Sequence, residues 1–218
     1  MEVVTSGLAA RVDQYMRHYA PKQPLSRDYL NPLPSDDDVV SVPQRMYSFS
    51  RGGDPRHKRY LETLGLSVCI GFTVYDPQTK VGGIVHLDND RGIKPHPDDM
   101  EPHFLLKLAH DFKRFNSPGP YQVRIVGGWK GISEHTLLPL FETLYYLDPF
   151  EVVELATLEP MPFGSQVLSV ILDLEDGILH NSSARHRFNN EEAERISRVL
   201  IDMDFTGIYV PHKDPRGL

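Results

Sequence analysis

Cysteine is almost missing from this chain: its 218 residues contain one, Cys69. A single thiol closes no internal disulfide, so the fold must rest on a hydrophobic core, and a reducing, cytoplasmic setting is expected. Delivery into another cell leaves no mark of this kind and stays open as an alternative. Long apolar runs are missing as well. Nothing reaches the about 18 residues of a membrane-spanning helix, and the opening MEVVTSGLAARVDQYMRHYA lacks the charged start and apolar stretch of a secretory signal. Positive charge is in short supply, with 23 Lys and Arg against 30 Asp and Glu, a formal net charge of −7 and a pI near 5.8. Nucleic acid and anionic membranes both need a basic face, so neither is an expected partner. RGGDPRHKR at 51–59 is the one local basic candidate. No repeat of 20–50 residues occurs, and no Walker-type phosphate loop is present.

What is there is ordinary globular material, 40% hydrophobic and 24% charged. Leu8, Val12 and Met16 predict a helix within 7–19. Residues 21–43 carry five prolines and a DDD run and read as an irregular arm. The chain therefore divides into an N-terminal helix and proline-rich arm over 1–45 and one domain over 46–218. In that domain SVCIGFTVY (67–75) and VGGIVHL (81–87) read as strands joined by a DPQTK turn. A helix follows over 98–115, with Leu105, Leu108, Ala109 and Phe112 on its apolar stripe. YQVRIVGG (121–128) is a strand. Pro139 places the start of the next helix, which runs to about 147, near Thr136. FEVVELATLE is a strand, and SQVLSVILDLEDGILH a hairpin about Glu-Asp-Gly. Asn190 caps a helix with core face Ala193, Ile196, Val199 and Leu200, and FTGIYVP closes as a strand. This order predicts an α/β (α+β) fold, mixed sheet layers packed by helices.

A free cysteine is most often a small buried hydrophobe. Against that stands the hairpin, which sets Cys69 and His86 on adjacent strands, roughly opposite one another and within side-chain reach. An imidazole beside a thiol lowers its pKa and later returns the proton to a leaving group. Thr63, six residues earlier, supplies a hydroxyl that can orient the ring. Gly82, Gly83, Gly127 and Gly128 read either as room for a substrate backbone or as bulges and bends. Trp129, the only tryptophan, reads as a cleft wall or as core. His96, Asp98, Asp99 and His103 are dense in ligating types but match no metal spacing, and read as a loop and a charged helix start. PSDDDVV reads as a solvated acidic turn. Neither a metal nor a cofactor is called for.

The run TLGLSVC…YDPQTKVGGIVH resembles the CheD family of chemoreceptor glutamine deamidases, and Thr63, Cys69 and His86 fall on that family's threonine, cysteine and histidine. VRIVGG and SVILDLEDGILH resemble its later strand and closing hairpin. The segments HLD and VRIVGGW are similar to protein N-terminal asparagine amidohydrolases. The resemblance spans about residues 60–181. It implies a CheD-like fold and a cysteine amidohydrolase that converts Gln to Glu or Asn to Asp in a protein or peptide, through a thioester, with release of ammonia. Val68 stands where the family has a small residue. This motivates the alternative of a binding module that kept the scaffold without the chemistry; a bacterial effector that deamidates a host protein is a further one.

Overall fold

The computed structural model describes residues 2–19, 26–29, 32–88, 104–157, 168–182 and 210–211. In chain order the elements are helix α1 (Glu2–His18), strand β1 (Ser26–Tyr29), a 3-10 turn at Asp36–Asp38, strands β2 (Val39–Ser41), β3 (Met46–Arg51), β4 (Tyr60–Leu66), β5 (Ile70–Asp76) and β6 (Val81–Leu87), helix α2 (Phe104–Arg114), strand β7 (Tyr121–Gly127), helix α3 (Glu134–Tyr146), and strands β8 (Phe150–Thr157), β9 (Leu168–Asp173), β10 (Leu179–Asn181) and β11 (Val210–Pro211). The fold is mixed α/β. Five strands form one sheet in the order β1-β10-β9-β4-β2, and six form a second in the order β11-β3-β6-β5-β7-β8. Both sheets are mixed: β1–β10, β2–β4, β7–β8 and β11–β3 are parallel, the remaining pairs antiparallel.

The six-stranded sheet lies between two cores. On one face Ile70, Phe72, Val74, Val85, Leu87, Val123 and Ile125 pack with α1, α2 and α3 through Val12, Leu105, Leu108, Phe112, Leu137, Leu140 and Phe141. On the other, Tyr75, Ile84 and Val126 meet Val40, Leu61, Leu66, Val170, Leu172 and Leu174 of the five-stranded sheet. Every residue of β5 and β6 is buried. A strand covered on both sides shows a continuous apolar run instead of alternation, and that run is what made these two strands readable.

Two expectations change, and strand β4 is new. The stretch expected as an irregular arm supplies β1 and β2, and β2 pairs with β4 from Val39↔Tyr60 to Ser41↔Glu62. Strand β4 carries no clean pattern because its register shifts between Thr63 and Leu66, about Gly65. Helix α3 begins at Glu134, so Pro139 stands inside it. The ring removes one amide, whose acceptor four residues back belongs to the exposed His135. The hairpin about Glu-Asp-Gly is present as β9–β10, with Leu179↔Leu172 in register, and β11 falls within the last expected strand, whose residues 205–209 lie outside the described residues. The helix capped by Asn190, the 98–103 start of the second helix and the His96, Asp98, Asp99, His103 group lie outside the described residues. The acidic run ends as the exposed 3-10 turn, capped by Ser35. Three of the four Lys and Arg residues of the 51–59 segment bind the rest of the fold: Arg59 binds Asp173, Lys58 the Val39 carbonyl and Arg51 the Phe115 carbonyl, while Arg56 pairs with Asp54 within the segment. No helix among the described residues is long and apolar enough to cross a membrane.

Candidate active site

Cys69 does not lie in a strand. The sequence predicts SVCIGFTVY as one strand, but residues 67–69 form a bend and β5 starts at Ile70. The reason is topological: β4 belongs to the five-stranded sheet and β5 to the six-stranded one, so the chain must cross between layers here. Cys69 sits at that crossing, and His86 is not directly opposite it. The β5–β6 register pairs His86 with Gly71 and Leu87 with Ile70. Cys69 precedes Gly71 by two residues and packs in the core between the sheets, which puts it on the His86 face one step along the ladder. Among the described residues no hydrogen bond links Cys69 Sγ to His86 Nε2.

Thr63 on β4 reaches the same space from the other sheet. Its Oγ1 lies 2.8 Å from His86 Nδ1 and donates to the Val42 carbonyl at 2.9 Å. A hydroxyl has one proton, and a carbonyl only accepts. The Thr63 proton therefore goes to Val42, and His86 must donate its Nδ1–H to Thr63. That fixes the tautomer: the imidazole lone pair sits on Nε2, which is buried and has no hydrogen-bond partner among the described residues. Val42 is in turn held by its N–H on the Glu62 carbonyl at 2.7 Å.

Burial holds both groups uncharged. It pushes the Cys69 thiol up from 9.0 to about 12, with Asp88 adding to the rise and Arg45 opposing it. The pKa reduction expected from a neighbouring histidine is thus reversed, because a neutral buried imidazole offers no positive charge to a thiolate. Burial lowers His86 from 6.5 to about 4, with Asp88 acting the other way. Asp88 itself binds Arg45 and accepts from Gln44 Nε2 at 2.8 Å. Arg45 has a left-handed φ of 64° and donates its N–H to the His86 carbonyl at 3.0 Å. Gln44, Arg45 and Asp88 were not legible as site residues, since nothing local in the sequence joins 44–45 to 88.

The depressed His86 pKa has a measurable consequence. As pH falls below 6.5 the unfolded chain takes a proton that the folded chain refuses, so this contribution to stability is complete above 6.5 and is lost on the way to about 4. Glu154, raised by burial from 4.5 to about 7, acts in the opposite sense over the same window. Comparison with a His86→Gln variant cancels it. The stability advantage of wild type over that variant should shrink by about 2 kcal/mol between about pH 7.5 and about pH 5 in urea titrations. An advantage that stays constant would mean that the folded state protonates His86 freely.

The glycine pairs have different surroundings. A Cβ on Gly82 would overlap Leu174 Cδ2, and one on Gly83 would lie 2.8 Å from Phe49 Cε1. The space at these two positions is filled by core side chains, which accounts for the glycines through packing and gives them no opening toward Cys69. Gly127 and Gly128, at φ 85° and 84°, instead brace the bend. The Gly128 N–H donates to the Cys69 carbonyl at 2.9 Å. Ser133 Oγ, at the N-cap of α3, makes no cap bond; it donates to the Val68 carbonyl and accepts from the Trp129 N–H, both at 2.7 Å. Trp129 is surface, not core. Ser133 was missed because an N-cap serine has a sufficient local explanation. Among the described residues no group of His, Cys, Asp and Glu could hold a metal ion.

No family model matches the chain. Over 73 residues it is 33% identical to a protein of Methanosarcina barkeri described as "Probable chemoreceptor glutamine deamidase CheD", a match covering 31% of this chain and 48% of that protein. The chain thus spans about half the length of the curated relative it matches, and the similarity supports a CheD-like relationship over that part.

Proposed function

We propose that the chain is a cysteine amidohydrolase that converts a protein or peptide carboxamide, Gln or Asn, to the acid. The observation that carries this reading is the chain of bonds from the Val42 carbonyl through Thr63 to His86 Nδ1, which leaves a lone pair on Nε2 on the face shared with Cys69. The similarity to a protein described as a deamidase supports the same chemistry.

In the first step Cys69 Sγ bonds to the carboxamide carbon as its proton passes to His86 Nε2, and the carbonyl oxygen takes the negative charge. The transfer accompanies attack, because neither group is charged beforehand. The Gly128 N–H is committed to Cys69, so the amides of the 67–69 bend take the role of oxyanion donors. His86 Nε2–H then protonates the nitrogen, the C–N bond breaks, and ammonia leaves a thioester. Water attacks that thioester, giving its proton to Nε2. The C–S bond breaks, the acid departs, and the proton returns to sulfur. Thr63 holds the ring in the working tautomer throughout, the part played by the third member of other triads.

The test is ammonia release from Gln- and Asn-containing peptides, together with a mass gain of about 1 Da on the modified protein. The binding-module reading is favoured by one observation, the burial that raises the thiol to about 12, and peptide binding without any ammonia would select it. Thr63→Val removes the Nδ1 acceptor at nearly constant shape. It should lower kcat roughly 10²-fold with little change in KM, and Thr63→Ser should restore much of the loss. Equal rates for Thr63→Val and wild type would remove Thr63 from the mechanism.

A further inference from the structure

Seven large apolar side chains are exposed among the described residues, and three of them, Val68, Trp129 and Ile132, rise from the two segments that hold Cys69. Their exposures are 38%, 50% and 54%. Val68 is the residue before Cys69. Trp129 and Ile132 belong to the turn between β7 and α3, where the Ile132 N–H bonds the Trp129 carbonyl at 3.1 Å. The Ser133 hydroxyl bridges the two segments, bonded at 2.7 Å to the Val68 carbonyl and to the Trp129 N–H. The Gly128 N–H on the Cys69 carbonyl closes the frame. The backbones that carry these three side chains are thus tied to the backbone of Cys69. Exposed apolar groups beside a site more often mark recognition than scattered apolar surface does.

From this geometry we infer that Val68, Trp129 and Ile132 form a docking rim for the substrate polypeptide, and that the rim selects carboxamides flanked by apolar side chains. The inference rests on the amidohydrolase reading for its occupant. A polypeptide that reaches Cys69 past its exposed neighbour Val68 lays its neighbouring residues across these segments. Apolar neighbours remove all three side chains from water, whereas acidic or hydroxyl neighbours lose their own hydration against them. Val68 enlarges the apolar contact next to Cys69.

The test uses Trp129 as its own probe, since it is the only tryptophan in the chain. Full-length Cys69→Ala protein is titrated with Gln and Asn peptides that carry Leu and Phe on both sides of the amide, or Asp and Ser in the same places. A saturable blue shift of Trp129 emission with the apolar set alone is the expected result, and Ile132→Ser should weaken that binding roughly tenfold. No shift, an equal shift with both sets, or a shift produced by raising the protein concentration without peptide each overturns the rim. Ammonia release by the wild-type chain is followed separately. A selective shift without ammonia keeps the rim and removes the chemistry; ammonia without a selective shift keeps the chemistry and removes the rim.

Discussion

Cys69→Ser is expected to reduce ammonia release at least about 10³-fold while leaving the fold in place. The size of the effect follows from the state of the site. His86, held at about 4, is a weak base. It removes a proton from sulfur only as the S–C bond forms, and an alkoxide is far harder to generate than a thiolate, so the serine hydroxyl falls short at the step where the thiol already depends on concerted transfer. The exchange is small in volume, and its stability cost is that of one hydroxyl in the core between the sheets, roughly 1–3 kcal/mol. Ammonia release, intact mass and a denaturation curve on the same preparation separate lost chemistry from lost structure. A serine variant that releases ammonia at the wild-type rate would show that the sulfur takes no part.

Gly127→Ala is expected to cost both stability and activity. The backbone there is at φ 85°, a conformation that costs an L-residue about 1–2 kcal/mol. The added Cβ would also lie 2.8 Å from the Cys69 carbonyl oxygen and 3.3 Å from Leu66 Cβ. Backbone oxygen on one side and the first side-chain carbon of Leu66 on the other leave no flexible chain end to yield, so the bend must move. The combined loss should be about 2–4 kcal/mol, and the folded fraction should react at least roughly tenfold more slowly, because misplacement of the attacking atom by a fraction of an ångström weakens the attack geometry. Gly131→Ala is the control. Its φ of 89° imposes the same backbone penalty, yet nothing lies within 4 Å of the added Cβ. Equal stability and equal activity for the two alanine variants would mean that contact with the Cys69 carbonyl does not position the bend.

Much of the architecture could be read from residue order because it depends on local periodicity. VGGIVHL reads as β6 with its bounds intact, and YQVRIVGG as β7 extended by one residue, since β-branched runs between turn signals have few alternatives. In α3, Leu137, Leu140, Phe141 and Leu144 fall at i, i+3, i+4 and i+7 and pack in the core, and Pro139 misplaced only the start of the helix. Strand β4 was missed because Glu62 is buried in it and Gly65 shifts its register. Strands β1 and β2 were missed because short segments gain their order from partners far along the chain, at β10 and β4.

Residue order alone determined which thiol, histidine and threonine are available and that His86 lies in an apolar run that reads as a strand: chemical identity and local pattern are properties of residue order. The tertiary structure alone decided where they lie. Thr63 reaches His86 because two different sheets face each other, and Cys69 enters the core between those sheets because the chain crosses from one to the other at residues 67–69. It also decided that both titrating groups are uncharged, that Gly82 and Gly83 serve packing while Gly127 and Gly128 hold the bend, and that Trp129 faces solvent. Each of these depends on which atoms lie across a gap between layers, and separation along the chain carries no record of that distance.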